Sequence, residues 1–248
     1  MSAPLLSVQD LTVKKDNDSP LLSSLSFDLP DGEILVLRGP SGSGKSTLLK
    51  CIAELNIYSS GTIKYRGQSI REIRGGAPEW RVRVGYVPQR PSLLPGTPLD
   101  FVNTINSFSA RRNNKLAKSQ PLDQQETTPG SAVDDPLDLA QEWGIEKPLW
   151  RRDWGTLSGG EAQRIALAVA VAAGGADVLL LDEPTSALDE ENSKKVEKTL
   201  ISMLPSHKGN STPSSQPTRK GPKSIIWITH SAEQAERVGT RTLDLSTF

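Results

Sequence analysis

Three short apolar runs, Ile34 to Leu37, Val178 to Leu181 and Ile225 to Ile228, show no alternation of apolar with polar residues. A strand with one face in water must alternate, so a strand that is apolar at every position is covered on both faces. Parallel sheets sandwiched between layers do this routinely. Each run is followed by a loop of Gly, Pro or polar residues. The N-terminal region behaves differently: Leu25, Phe27 and Leu29 alternate with Ser26 and Asp28, and Val8 to Val13 is similar, a pattern that predicts antiparallel strands. A further strand is expected at Thr62 to Tyr65. Helical stretches follow Ser46 (Thr47 to Leu55), Ser158 (to Ala173) and Asn192 (to Leu204), so the central part alternates strand and helix as an α/β fold does.

At 248 residues the chain is long enough for one large α/β domain with a sizeable core. It has no run near the roughly 18 apolar residues that cross a bilayer, and Met1-Ser-Ala-Pro lacks both a basic and an apolar leader region. A soluble, unexported chain is expected. The 29 Lys and Arg balance the 29 Asp and Glu, which removes any general attraction to nucleic acid or anionic lipid, and no nucleic-acid partner is expected. The single cysteine, Cys51, excludes an intramolecular disulfide and a multi-cysteine zinc site, and reads as a small core residue. Two segments, Ser109 to Pro136 and Ser206 to Lys223, are too poor in apolar residues to build a core and are expected to be disordered surface inserts.

The loop after the first apolar run is Gly39, Pro40, Ser41, Gly42, Ser43, Gly44, Lys45, Ser46 and Thr47. It satisfies G-x-x-x-x-G-K-[ST] between a strand and a helix, the context that gives this pattern a mechanism. Glycines let consecutive N–H groups turn inward as an anion nest, and the helix that follows adds its positive N-terminal end. Lys45 then reaches the β and γ phosphates of a nucleotide while Ser46 ligates Mg²⁺. The second run ends in two acids, Asp182 and Glu183, which packing alone does not account for. Charges at a strand's carboxyl end are functional positions in such sheets. Asp182 is expected to hold Mg²⁺, and Glu183 to act as general base toward the attacking water. Ser158 and Glu161 have capping-box spacing ahead of an Ala-rich helix, with Gly174-Gly175 as its stop. Gly159 and Gly160 in its first turn lower helix stability, since glycine costs about 1 kcal/mol relative to alanine in a helix interior. A bare helix tip of this kind suits a phosphate.

With Lys45 and Asp182 in place, the chain resembles the nucleotide-binding domain of ABC ATPases nearly end to end. Leu157-Ser-Gly-Gly-Glu161 looks like the family signature, Gln89 after Val84-Gly-Tyr-Val-Pro88 like the Q-loop glutamine, Ser186-Ala-Leu-Asp189 like the D-loop, and His230 after Ile225-Ile-Trp-Ile-Thr229 like the switch histidine. The resemblance implies a P-loop NTPase of α/β class. Its parts would be a central, mostly parallel sheet, an N-terminal antiparallel β-subdomain and an inserted α-helical subdomain at about 90–160, in one domain spanning 1–248. It implies ATP and Mg²⁺ as cofactors. It also implies a head-to-tail dimer in which Ser158, Gly159, Gly160 and Asp189 of one copy complete the ATP site of the other. Gln89 would sense Mg²⁺ and the attacking water, and His230 would hold the γ-phosphate.

The resemblance further implies that this is the ATPase subunit of a transporter whose membrane-spanning subunit is a separate chain, with a cytoplasmic location, peripheral on the cytosolic face of a membrane. Both complementary halves are intact, which favours a homodimer. Leu93, Leu94 and Phe101 either line the groove that receives the membrane subunit or fill the helical subdomain's core. The wording of Leu181 to Asp189, Leu94-Pro-Gly-Thr97 and the 18 residues after His230, too few for an appended domain, look most like the small ATPases of bacterial iron exporters and plant aluminium-tolerance transporters. The alternative is a soluble ABC ATPase of DNA repair, chromosome structure or translation. One phosphate loop and no sustained heptad pattern weigh against it. One departure stands out: Leu11-Thr-Val-Lys-Lys-Asp16 offers no aromatic to stack on adenine, leaving the stem of Lys14 or Lys15 as the substitute.

Overall fold

The computed structural model describes residues 3–15, 18–90, 95–107, 135–172, 176–205 and 221–247. The alternating N-terminal segments form β1 (Leu6–Lys14) and β2 (Pro20–Leu29), paired antiparallel, with β4 (Ser60–Tyr65) on the other edge of β1 and the short β5 (Gln68–Ser69) beyond it. The strands are longer than alternation predicts. Asp10 and Ser24 adopt left-handed backbone conformations and the β1–β2 register shifts along the pair, and such bulges break the period of two that a sequence reading relies on.

All three apolar runs are strands of the second sheet. In chain order its members are β3 (Ile34–Arg38), β6 (Val84–Val87), β7 (Val178–Asp182), β8 (Ser224–Ile228) and β9 (Arg241–Asp244), lying side by side as β6-β7-β8-β3-β9 and all parallel. β7 and β8 are buried at every residue. Their lack of alternation follows directly, because each face carries its own core. Leu179, Leu181, Ile225, Trp227, Ile34 and Val36 belong to one hydrophobic cluster. Val178, Leu180, Ile226, Ile228, Leu35 and Leu37 belong to the other, which they share with the antiparallel sheet.

Helices close both faces: α1 (Lys45–Ile52), α2 (Gly76–Arg83), α3 (Pro98–Ser107), α4 (Pro136–Glu142), α5 (Gly159–Ala172), α6 (Glu190–Met203) and α7 (Ala232–Val238). The helix α1 stops at Ile52 and not at Leu55, since Glu54 takes a left-handed conformation. The capping box expected at Ser158 and Glu161 forms, with Ser158 N donating to Glu161 Oε2 at 2.7 Å and Glu161 N donating to Ser158 Oγ at 3.3 Å. The expected stop Gly174-Gly175, nearly all of both inserts, Leu93, Leu94 and Asp16 lie outside the described residues. Among the described residues no helix is long and apolar enough to cross a membrane.

The two sheets are tied at the edge remote from the strands' carboxyl ends. There Asp177 accepts hydrogen bonds from the Tyr65 hydroxyl and, at 3.0 Å, from Lys223 Nζ. Burial, and then the bond to Asp177, push the Tyr65 phenol from 10.0 up to about 12. A phenol held above its unfolded value stabilises the fold at pH below 10, where it is protonated in both states. That contribution is lost as the pH rises through 12. Denaturant stability measured across pH 9 to 12 should therefore fall, and Tyr65→Phe should make the fall shallower. An identical profile for the two chains would show that this link does not titrate.

Candidate active site

Four adjacent parallel strands, β6, β7, β8 and β3, end on the same side of the sheet, and each delivers its loop there: Gln89 after β6, Asp182 and Glu183 at the end of β7, His230 after β8 and Gly39 to Ser46 after β3. In open α/β sheets the crevice at the carboxyl ends of the strands is where ligands bind.

The β3 loop enters α1 without a side-chain cap. Gly39, Gly42 and Gly44 have φ of 143°, 81° and 90°, conformations that a side chain would strain. A Cβ on Gly44 would also come within 3.1 Å of Leu21 Cγ and 3.2 Å of Leu22 Cγ. The loop therefore presents uncapped N–H groups and leaves the Ser43 hydroxyl oxygen buried with no partner. Lys45 is folded inward, its Nζ donating at 2.8 Å to the carbonyls of both Gly39 and Pro40. Ser46 Oγ donates to Asp182 Oδ1 at 3.0 Å, joining α1 to the end of β7. Backbone donors, an orphaned hydroxyl, a loop-bound cation and a hydroxyl–carboxylate pair fit a nucleotide's phosphates with Mg²⁺ between Ser46 and Asp182. The third expected metal residue, Gln89, is instead joined to Glu183, its Nε2 donating to Glu183 Oε2 at 2.8 Å.

Asp182 and Glu183 are adjacent in the chain yet face different partners. Glu183 has φ of 48°, a left-handed conformation that costs a non-glycine residue about 1 kcal/mol or more. Its amide donates to Ile228 O at 3.2 Å, and its carboxylate lies between Gln89 and His230, whose Nε2 is 3.0 Å from Glu183 Oε1. Gln89, expected to sense Mg²⁺ and the attacking water, and His230, expected to hold the γ-phosphate, thus converge on one carboxylate. His207, the other histidine, lies outside the described residues.

Three features escape the sequence reading. Gln163, 1% exposed, bridges three loops. Its Nε2 donates to Gln89 O at 3.2 Å and to Glu183 O at 3.0 Å, and its Oε1 accepts from Ala187 N at 3.1 Å. Its only signal is a polar residue on the buried face of the Ala-rich helix. Tyr86 Oη donates to Asp182 Oδ2 at 3.0 Å; burial first, then the Asp182 charge, raise its pKa far above the ordinary phenol value, so it remains a donor. Finally, Gln234 Nε2 donates to Thr185 Oγ1 at 2.8 Å and to Glu197 Oε1 at 2.7 Å, and Arg237 closes the other side of Glu197 at 2.6 Å. This network ties the helix after His230 to the loop after Glu183 and to α6.

The signature segment, Ser158 to Gly160, stands at the N-terminal end of α5, where Ser158 and Glu161 form the capping box. A Cβ on Gly160 would stand 3.0 Å from Ala187 O, a tight approach to the backbone of the loop packed on it. Gly159 would meet only Ala187 Cβ, at an ordinary 3.8 Å. Asp189 caps α6, accepting from Asn192 N at 2.8 Å, and that bond together with one from the Asn192 side chain lowers its pKa. At the end of β1, Lys14 Nζ pairs with Asp18 at 2.7 Å, which commits the Lys14 stem and leaves Lys15 exposed beside it.

The family model described as ABC transporter matches residues 22–186. The phosphate import ATP-binding protein PstB 1 of Streptococcus pneumoniae is 33% identical over 247 residues, covering 98% of this chain and 86% of its own length. The protein of the same name from Trichormus variabilis is 32% identical over 231 residues, covering 91% and 73%. Among solved structures, a dimeric post-hydrolysis state of an ATP-binding cassette bound to ADP and Pi aligns with a TM-score of 0.71 at 23% identity, covering 96% of this chain and 93% of that one. CbiO1 of Clostridium perfringens, part of the ABC transporter complex CbiONQ, aligns with a TM-score of 0.68 at 23% identity, covering 98% and 84%. The chain belongs to the ABC transporter family and is an ATP-binding, ATP-hydrolysing subunit of that family.

Proposed function

We propose that this chain is a single ABC ATPase domain that works as a head-to-tail homodimer on the cytosolic face of a membrane and drives a separate membrane-spanning subunit. The observation that carries the reading is the convergence of Ser46 on Asp182 and of Gln89 and His230 on Glu183 beside an uncapped phosphate loop. Lys45 leaves the carbonyls of Gly39 and Pro40 for the β and γ phosphates, which the N–H groups from Pro40's neighbours through Thr47 cradle. Ser46, Asp182 and Gln89 would hold Mg²⁺. When bound, Mg²⁺ neutralises charge on the phosphate oxygens. Glu183 accepts the proton of the attacking water, and Gln89 and His230 fix its two oxygens so that the free lone pairs face that water. His230 also holds the γ-phosphate. Ser158, Gly159, Gly160 and Asp189 serve the ATP of the other copy.

The membrane subunit's contact is proposed at an apolar cavity of about 450 Å³ whose walls include Leu55, Tyr86, Phe101, Ile105, Trp154 and Val169. Phe101 lines this cavity and packs edge-on against Trp154, with ring centroids 6.1 Å apart. Leu55 and Ile57, 51% and 88% exposed, extend the apolar surface from the same chain segment. For the sub-group we propose the small stand-alone ATPases of the iron-exporter and aluminium-tolerance type, on the wording of Leu181 to Asp189 and of Leu94 to Thr97. The phosphate-import relatives share the ATPase, and cargo is contacted by membrane subunits.

Glu183→Gln should cut ATP hydrolysis about 100-fold or more, the scale of a lost general base, while ATP binding is kept. Purified from detergent-solubilised cells, that variant should bring with it one multi-spanning membrane protein. Ribosomal or chromosomal proteins alone would overturn the transporter reading, and a phosphate permease would overturn the sub-group. Lys15→Tyr should tighten ATP binding at least 5-fold, because stacking of a base on an aromatic contributes about 1–3 kcal/mol. Unchanged affinity would show that adenine is held elsewhere.

A further inference from the structure

Tyr86 reaches the Asp182 carboxylate from the neighbouring strand β6. In the sheet it pairs with Leu180, and Leu180 and Asp182 share one face of β7, so the Tyr86 side chain runs toward the Asp182 carboxylate. Its ring forms part of the cavity wall and its hydroxyl donates to Asp182 Oδ2, the oxygen opposite the one that Ser46 contacts. A phenylalanine would fill the same wall. The hydroxyl therefore adds nothing to packing, and a hydroxyl so placed is costly unless bonded. Asp182 is 4% exposed, which leaves its oxygens few other donors.

We propose that Tyr86 is a positioning residue for the metal-holding carboxylate: its hydroxyl pins Oδ2 so that Oδ1 stays turned toward Ser46, where Mg²⁺ is received. The proposal rests on the reading of Ser46 and Asp182 as the Mg²⁺ residues. The bond to Oδ2 is independent of events at Oδ1. It holds the carboxylate's orientation when the Ser46 hydroxyl turns its oxygen to the ion, and removing it frees the carboxylate to rotate just when the ion needs it fixed. Hydrogen-bond partners of metal-binding carboxylates typically matter by 10- to 100-fold in metal affinity or activity.

The test is nucleotide binding in a Glu183→Gln chain, where hydrolysis does not interfere, measured by calorimetry in EDTA and across a Mg²⁺ titration. Adding Tyr86→Phe should raise the Mg²⁺ concentration for half-maximal enhancement of ATP binding about 10-fold or more, with metal-free ATP affinity unchanged. A midpoint within 2-fold of the parent overturns the proposal. So does an equal loss of metal-free and Mg²⁺-dependent binding, which would mark Tyr86 as a packing residue only. Asp182→Asn in the same background separates the two levels. If it leaves the midpoint in place, the metal assignment itself falls, whereas a shift in Asp182→Asn without one in Tyr86→Phe removes only the role of Tyr86.

Discussion

A carboxylate at the end of a strand buried on both faces has to be satisfied from within the protein, and the arrangement around Asp182 follows from that requirement. Burying an unpaired charge costs several kcal/mol, so donors must be brought to it. They come from the helix after β3, as Ser46, and from the neighbouring strand β6, as Tyr86. Neither donor would be in reach in another strand order. β6 must lie beside β7, and β3 must stand just across β8, for loops far apart in sequence to meet over one residue.

The turn at Glu183 then separates two acids that an extended strand would also have sent to opposite faces, but not to this pair of positions. With φ of 48° the backbone reverses at once, and Glu183 is carried toward the loops after β6 and β8. A strained residue persists when its surroundings over-determine it. Here its amide is held by Ile228 O and its carbonyl by Gln163. Gln163 simultaneously holds Gln89 O and Ala187 N, so one buried amide fixes the general-base candidate, its neighbour and the loop leading to Asp189.

What was legible in the sequence is what has a local period or a local motif. The three unalternating runs named the parallel sheet because burial on both faces erases polar positions, and the phosphate loop was readable because glycine geometry and helix entry are set within nine residues. The strand β9 was not anticipated, since Arg241 to Asp244 is four residues long and carries no apolar run. β2 was read too short because its bulge at Ser24 hides the period. Tyr86, Gln163 and Gln234 were missed for a different reason. Each is an ordinary polar residue in its own segment, and its function lies in a partner 96, 20 or 49 positions away.

The contrast between Gly159 and Gly160 bears on the proposed division of the site between two copies. Ala187 O stands 3.0 Å from where a Gly160 Cβ would be, so the helix tip and the loop before Asp189 are closely packed along one edge. Gly159 has no such neighbour, and nothing within the chain demands its missing side chain. A helix start left bare where a side chain would fit has room for something from outside the chain. On the proposed reading that is the phosphate held by the other copy. Gln163 connects this edge to Glu183, so on that reading the same buried amide that holds the general-base candidate also anchors the surface offered to the other copy's nucleotide.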